Sequence, residues 1–180
     1  MKRVCIECGK GAGFTLVELM VVVVVLVALA LLGVPMVRRL GETGRSTACL
    51  GHLRQLGIGL NGYLGDHGQV MPVLRGARAS RSDEEPVVDV VLGPYVGDER
   101  VFACPADPRL AAASGTSYFW NVALNGQPLA DLNFLRLSFE RGKIPLLSDK
   151  EAFHPYSENK VNILYADGHA TKELQILTGR

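Results

Sequence analysis

Residues 9–37 read GKGAGFTLVELMVVVVVLVALALLGVPMV, and this stretch decides the architecture of the chain. No side chain from residue 19 to residue 37 is charged, and Glu18 stands alone at the head of that run. Counted from Phe14, the run would form about 36 Å of α-helix, which exceeds a bilayer hydrocarbon core of about 30 Å. The pattern therefore predicts a membrane helix over residues 14–37, with Pro35 bending it near its end.

An ordinary signal peptide is the main rival to a retained membrane helix. Lys2, Arg3 and Lys10 precede the apolar run, and Ala28-Leu29-Ala30 offers a signal-peptidase pattern. Apolar residues nevertheless continue past that point to Val37, whereas a cleavage site normally ends the apolar core. A retained helix is therefore favoured. The remaining chain is long enough for one domain, and its net charge of +1 argues against nucleic-acid binding.

Glu18 is the residue that the membrane helix does not explain. A carboxylate near the middle of a bilayer costs about 2.5–3.5 kcal/mol, and less toward an interface. No lysine or arginine lies within one helical turn of Glu18. A cut between Gly13 and Phe14 would create an α-amine four residues away, on the same helix face. That amine could pair with Glu18 of its own chain or of a neighbouring copy.

The segment GFTLVEL closely resembles the cleavage and methylation motif of type IV prepilins and type II secretion pseudopilins. The resemblance implies that residues 1–13 are a leader peptide, and that a prepilin peptidase cuts after Gly13 and methylates the amine of Phe14. It further assigns Glu18 to subunit assembly and Pro35 to the helix bend.

The same resemblance implies a location and partners. It places the helix in the inner membrane as a single pass, with the leader cytoplasmic and residues 38–180 periplasmic. Basic residues flank the helix on both sides, so charge alone does not set this orientation. The expected partners are the peptidase and other pilin or pseudopilin subunits.

Residues 46–66 predict a second, amphipathic helix. Its apolar residues recur in alternating steps of four and three, which gives one apolar face: Cys49, Leu53, Leu56, Leu60 and Tyr63. Glycines at 57, 59 and 62 weaken the isolated helix but would allow a sheet or another helix to approach closely. Residues 75–86 predict an exposed loop.

The region of residues 87–180 predicts a small antiparallel sheet, so the fold class is α+β. We expect a strand in VFACPADP, and a strand in SYFWNVALNG closed by a hairpin turn at Asn125-Gly126. In that strand Tyr118 and Trp120 would be buried together, with Phe119 pointing away. KIPLLSD predicts another strand, and KVNILYADGHATKEL predicts a hairpin around Asp167-Gly168.

Several of these segments carry a second resemblance. CLGHLRQLGIGLNGYLGDHGQVMP, VFACPAD, SYFWN and VNILYADGH are similar to a pseudopilin-like family abundant in planctomycete and verrucomicrobial genomes. That family ends in a histidine followed at a fixed distance by Asp-Gly. Here twelve residues separate His154 from Asp167, which is more than in that signature.

The C-terminal part also contains the residues that could ligate a metal ion: Asp149, His154, Asp167 and His169. Carboxylates and imidazoles suit zinc, while carboxylates with backbone oxygens suit calcium, which some related major pseudopilins hold. Turn and capping roles are the favoured interpretation, because no helical ligand pairing is present. We therefore expect no cofactor.

Four cysteines fall in two settings. Cys5 and Cys8 form a C-x-x-C in the leader, without the second pair that a closed zinc site needs. Cys49 and Cys104 could form a disulfide in an exported domain, but their spacing does not show that they meet.

The leading functional interpretation is a structural subunit, not an enzyme, assembled into a type II secretion pseudopilus or a type IV pilus-like filament. Two alternatives remain: a membrane-anchored periplasmic hydrolase with a metal on Asp149, His154, Asp167 and His169, or an anchored binding protein that never assembles. Secretion and pilus roles, cargo and subunit rank stay open.

Overall fold

The fold is described from a computed structural model that covers residues 14–134, 137–138, 140–155 and 160–172. The predicted leader, with Cys5, Cys8 and the cleavage-site residue Gly13, lies outside the described residues. The described chain divides into two compact units at Arg38 and Arg39. Each unit is considered by itself.

Helix α1 extends from Leu16 to Asp66 and begins with the predicted apolar run. The large apolar side chains from Phe14 to Val37 are 47–82 % exposed. Among the described residues, α1 is the one helix long and apolar enough to cross a membrane. Pro35 lies inside the helix, where it removes one backbone donor.

The start of α1 is fixed by a capping box. The backbone N–H of Thr15 donates to Glu18 Oε2 at 2.8 Å, and the N–H of Glu18 donates to Thr15 Oγ1 at 3.2 Å. The Thr15 hydroxyl also donates to Glu18 Oε2. Glu18 therefore has a hydrogen-bonding partner on its own chain that is neither lysine nor arginine.

The C-terminal part of α1 presents the predicted apolar face. Cys49, Leu53, Leu56 and Leu60 are buried, Tyr63 is half-buried, and Leu50 and Leu64 extend the face. At Gly57 an added Cβ would lie 3.3 Å from Leu164 Cδ1, and at Gly59 it would lie 2.6 Å from Val96 Cγ2. The glycines thus admit close neighbours, as their positions predict.

A four-stranded antiparallel sheet packs in the second unit, in the order β1-β4-β5-β6. Its strands are β1 (Tyr118–Trp120), β4 (Pro145–Asp149), β5 (Ile163–Tyr165) and β6 (Ala170–Thr171). Strands β2 (Asn133–Phe134) and β3 (Leu137–Ser138) form a separate pair. Together with α1 this confirms the α+β class.

The outer edges of the sheet are short and partly occupied. At β1 the N–H of Trp120 donates to Gly76 O at 3.0 Å. At β6 the carbonyl of Ala170 accepts from Arg54 Nη2 at 3.3 Å. Tyr118 and Trp120 are fully buried and Phe119 is 45 % exposed, which confirms the predicted alternation.

Short helices fill much of the sequence between the strands. They are α2 (Val88–Val91), α3 (Leu110–Ser114) and five 3₁₀ helices at Gly93–Tyr95, Glu99–Phe102, Val122–Leu124, Leu129–Asp131 and Arg141–Lys143. The predicted loop at residues 75–86 lacks helix and strand, but Arg78 within it is buried against Asp89.

Two strand predictions are wrong. VFACPADP contains no strand: its first two residues end the 3₁₀ helix Glu99–Phe102, which begins where the Asp98 side chain accepts from the N–H of Arg100. The hairpin at Asn125-Gly126 is absent, since β1 pairs with β4 in the register Tyr118 to Asp149. The strand in KIPLLSD and the hairpin at Asp167-Gly168 are confirmed, with Gly168 at φ 88°.

The close approach at Gly59 generates a stability prediction. Gly59→Ala should lower the free energy of unfolding by about 1–3 kcal/mol, because the new methyl group overlaps Val96. Urea unfolding followed through the single tryptophan, Trp120, measures the change.

Gly51→Ala is the matched control on the same helix. An added Cβ at Gly51 meets nothing within 4 Å, so this variant should gain about 0.5–1 kcal/mol from helix propensity. Equal gains in both variants would show that the helix does not pack closely at Gly59.

Candidate functional site

The structure brings two of the four predicted metal ligands together with both distal cysteines. Cys49, Cys104, Asp149 and His154 each offer one donor atom, and these atoms lie within 4.8 Å of one another. We call these four residues the Cys-Asp-His cluster. All four are buried, with exposures of 0, 2, 5 and 2 % respectively.

The other two predicted ligands lie elsewhere. Asp167 and His169 form a partly exposed side-chain pair of their own on the β5–β6 hairpin. The Asp167 side chain also accepts from the N–H of His169, and the His169 ring stacks on Tyr165. The described residues thus give this pair the turn role that the sequence favours, and they do not join it to the Cys-Asp-His cluster.

Each member of the cluster comes from a different part of the fold. Cys49 lies on the buried face of α1, and Cys104 follows the 3₁₀ helix Glu99–Phe102. Asp149 ends β4, and His154 lies in the loop that follows. Asp149 and His154 are five residues apart and were predicted together, but no short spacing joins them to Cys49 or Cys104, so the sequence gives no signal for the full cluster.

The distances within the cluster are short and chemically specific. Cys49 Sγ lies 3.3 Å from Asp149 Oδ1, and Cys104 Sγ lies 3.4 Å from His154 Nε2. His154 Nε2 lies 3.3 Å from Asp149 Oδ2. The Cys49 sulfur therefore contacts the carboxylate, and the Cys104 sulfur contacts the imidazole. The Asp149 carboxylate also contacts His154, which connects these two pairs.

A second set of residues holds the ligand atoms in place. The backbone N–H of Asn162 donates to Asp149 Oδ2 at 2.7 Å, and the Tyr118 hydroxyl lies 3.4 Å from Cys49 Sγ. Asn162 is fully buried and bonds through its side chain to Ser46 on α1. These contacts tie the helix to the sheet on both sides of the cluster.

Cys104 is positioned by a polar turn. Its N–H donates to Ser117 Oγ at 2.8 Å, and the Ser117 hydroxyl donates to Asp107 Oδ2 at 2.6 Å. Asp107 also accepts from the amides of Arg109, Leu110 and Ala111. Burial acts to raise the pKa of Asp107, but these hydrogen bonds outweigh it and lower the pKa.

Burial and hydrogen bonding shift the protonation equilibria of the cluster. Hydrogen bonding to Cys104, together with burial, raises the pKa of the Cys49 thiol. Burial acts to lower the pKa of His154, but hydrogen bonds to Asp149 and Cys49 outweigh it and raise the pKa to about 9. Burial also raises the pKa of Tyr118. These three groups are therefore protonated at neutral pH.

Cys49 and Cys104, which the sequence left open as a disulfide pair, meet in this cluster, and the structure has both as free thiols. On the described part of the chain, His154 Nδ1 is buried without a hydrogen-bond partner. The imidazole is therefore positioned through its other ring nitrogen, Nε2, which contacts Asp149 and Cys104.

Comparison with protein-family models, with curated proteins and with solved structures finds no match to this chain. The interpretation of its function accordingly depends on its own residues and their geometry.

The cluster generates a prediction that contrasts its buried carboxylate with the exposed one. Asp149→Ala should lower the free energy of unfolding by about 3–5 kcal/mol, because it leaves buried partners without their carboxylate. Asp167→Ala should cost about 1 kcal/mol or less, since its ion pair is exposed to water. Urea unfolding of the two variants measures both values, and similar losses would contradict the structural role given to Asp149.

Proposed function

We propose that the chain is a prepilin-like subunit, cleaved and N-methylated by a prepilin peptidase. It then assembles into a type II secretion pseudopilus or a type IV pilus-like filament. It is a structural protein of the inner membrane, with its leader in the cytoplasm and its C-terminal domain in the periplasm. One observation carries the proposal: an exposed apolar helix begins at Leu16, within GFTLVEL, and continues directly from it.

The exposed apolar side chains of the helix support this function. From Phe14 to Val37 they are 47–82 % exposed, and an apolar surface of this extent requires cover. In lipid the acyl chains supply the cover, and the helix satisfies its own backbone groups. In a filament the helices of neighbouring copies supply it instead, so one segment serves both states.

The capping box is compatible with an assembly role for Glu18. Both hydrogen bonds from Thr15 go to Oε2. No described residue donates to Oε1, which leaves that oxygen for an amine. After cleavage, the amine of Phe14 on a neighbouring copy has the complementary charge. The carboxylate then caps its own helix and pairs with the next subunit at the same time.

Burial of the Cys-Asp-His cluster argues against the hydrolase alternative. A metal hydrolase needs a ligand position open to water and substrate. The four side chains of the cluster are at most 5 % exposed. Asp167 and His169, which that alternative also required, belong to a separate surface pair.

Processing at the predicted site is the first test. Recovered from a host with a prepilin peptidase, the protein should begin at Phe14 and carry one added methyl group, as measured by mass spectrometry of its N-terminus. Gly13→Val should block cleavage, while Gly11→Val, a glycine two residues upstream, should leave it intact. A wild-type chain that keeps Met1 would contradict the proposal.

The second test separates the two roles of Glu18. Glu18→Gln keeps an oxygen that can accept from Thr15 but removes the charge, whereas Glu18→Val removes both. Both variants should insert into the membrane, and both should lose at least about tenfold of the crosslinking between neighbouring helices, the equivalent of ~1.4 kcal/mol.

Glu42→Gln is the matched control for this test, because Glu42 pairs with Arg45 on the same helix outside the apolar run. It should crosslink as the wild type does. If Glu18→Gln also crosslinks like the wild type, capping alone explains Glu18 and the assembly contact is wrong.

A further inference from the structure

The Cys-Asp-His cluster has the donor set of a metal site. It combines two sulfurs, one imidazole nitrogen and one carboxylate, all of which zinc accepts in proteins. The residues come from three separate segments, with Asp149 and His154 on one of them, so the fold and not a local motif assembles the cluster. The four residues are not a chance grouping of surface side chains, because each side chain is buried in the core of the unit.

The distances fit a tetrahedral ion. Zinc–sulfur bonds of about 2.3 Å and zinc–nitrogen or zinc–oxygen bonds of about 2.0–2.1 Å place neighbouring ligand atoms about 3.3–3.8 Å apart. The three contacts within the cluster measure 3.3, 3.4 and 3.3 Å and involve both oxygens of Asp149, and all four donor atoms lie within 4.8 Å of one another. A metal ion would therefore draw the more distant donor atoms toward the tetrahedral range.

The surroundings of Asp149 and Cys49 match those of ligating groups. A carboxylate that binds a metal through one oxygen normally accepts a hydrogen bond at the other. Asp149 directs Oδ1 toward Cys49, while Oδ2 accepts from the N–H of Asn162. The Tyr118 hydroxyl lies beside the sulfur of Cys49 and can donate to its thiolate.

We propose that Cys49, Cys104, Asp149 and His154 form a closed, four-ligand structural site for a zinc-class divalent ion. The two sulfurs and the imidazole select zinc over calcium or magnesium, which require oxygen ligands. Four protein ligands in a buried cluster leave no position for a substrate. On binding, the ion displaces the protons of both thiols and of the imidazole.

The site would connect the helix to the sheet through one ion. Cys49 and Asp149 are 100 residues apart, and Cys104 and His154 are 50 apart. An ion that binds only the folded state stabilises that state, because the unfolded chain does not hold its ligands together. This inference is independent of membrane assembly, since all four ligands lie in the second unit.

A disulfide between Cys49 and Cys104 would compete with the ion for the same sulfurs. Its formation removes two protons and two electrons, which an oxidant must accept, and leaves no thiolate to bind a metal. The two states therefore exclude each other, and one preparation can distinguish them by metal content and by mass.

The test uses the full chain, purified in detergent without reductant and dialysed against a small excess of zinc chloride. Elemental analysis should find about one zinc ion per chain. Cys104→Ser and His154→Gln should each lose most of this zinc. Asp167→Asn and His169→Gln change the exposed pair and should retain it, which makes them the matched controls.

Cobalt provides a measurement that does not depend on any variant folding. Cobalt added to the wild-type chain should give sulfur-to-cobalt charge-transfer bands and the strong visible bands of a tetrahedral ion, and zinc should abolish both. Three results would overturn the proposal: a disulfide between Cys49 and Cys104 with no metal, free thiols without metal, or a cobalt spectrum without sulfur bands.

Discussion

The close approach of α1 to β5 is the constraint on which the second unit depends. At Gly57 the helix backbone lies against Leu164, at a distance that a larger residue would increase. This contact places the buried face of α1 directly over the sheet. Cys49 on the helix and Asp149 on β4 then meet, and Asn162 joins both elements through its backbone and its side chain. The short distance between α1 and β5 therefore accounts for both the apolar packing and the polar cluster.

The two units differ in how they are stabilised. The second unit buries its own apolar side chains, including Trp120, Tyr118 and Leu164. The large apolar side chains between Phe14 and Val37 are all exposed, and the helix that carries them is long and apolar enough to cross a membrane. Glu18 lies at the start of this apolar surface, and its capping box with Thr15 begins the helix through local hydrogen bonds.

Local pattern predicted the parts of the fold that local forces determine. The apolar face of residues 46–66 follows from helical periodicity, and the last hairpin follows from the turn at Asp167-Gly168. The strand order could not be predicted, because β1 pairs with β4 across a long intervening segment. Asn125 was misassigned for a physical reason: its side chain accepts from Trp120 Nε1 and donates to Leu74 O, so it braces a loop. The Cys-Asp-His cluster could be predicted only in part. Asp149 and His154 are candidate ligands in the sequence, but no sequence pattern joins them to Cys49 and Cys104.

The edges of the four-stranded sheet have a consequence for crowding. Open strand edges readily pair with those of other molecules, which leads to aggregation. Here β6 has two residues and β1 has three, and groups on each already bond to Arg54 or Gly76. Densely packed copies of this domain would consequently not pair through their strand edges. Each domain would stay folded and unaggregated at high local concentration.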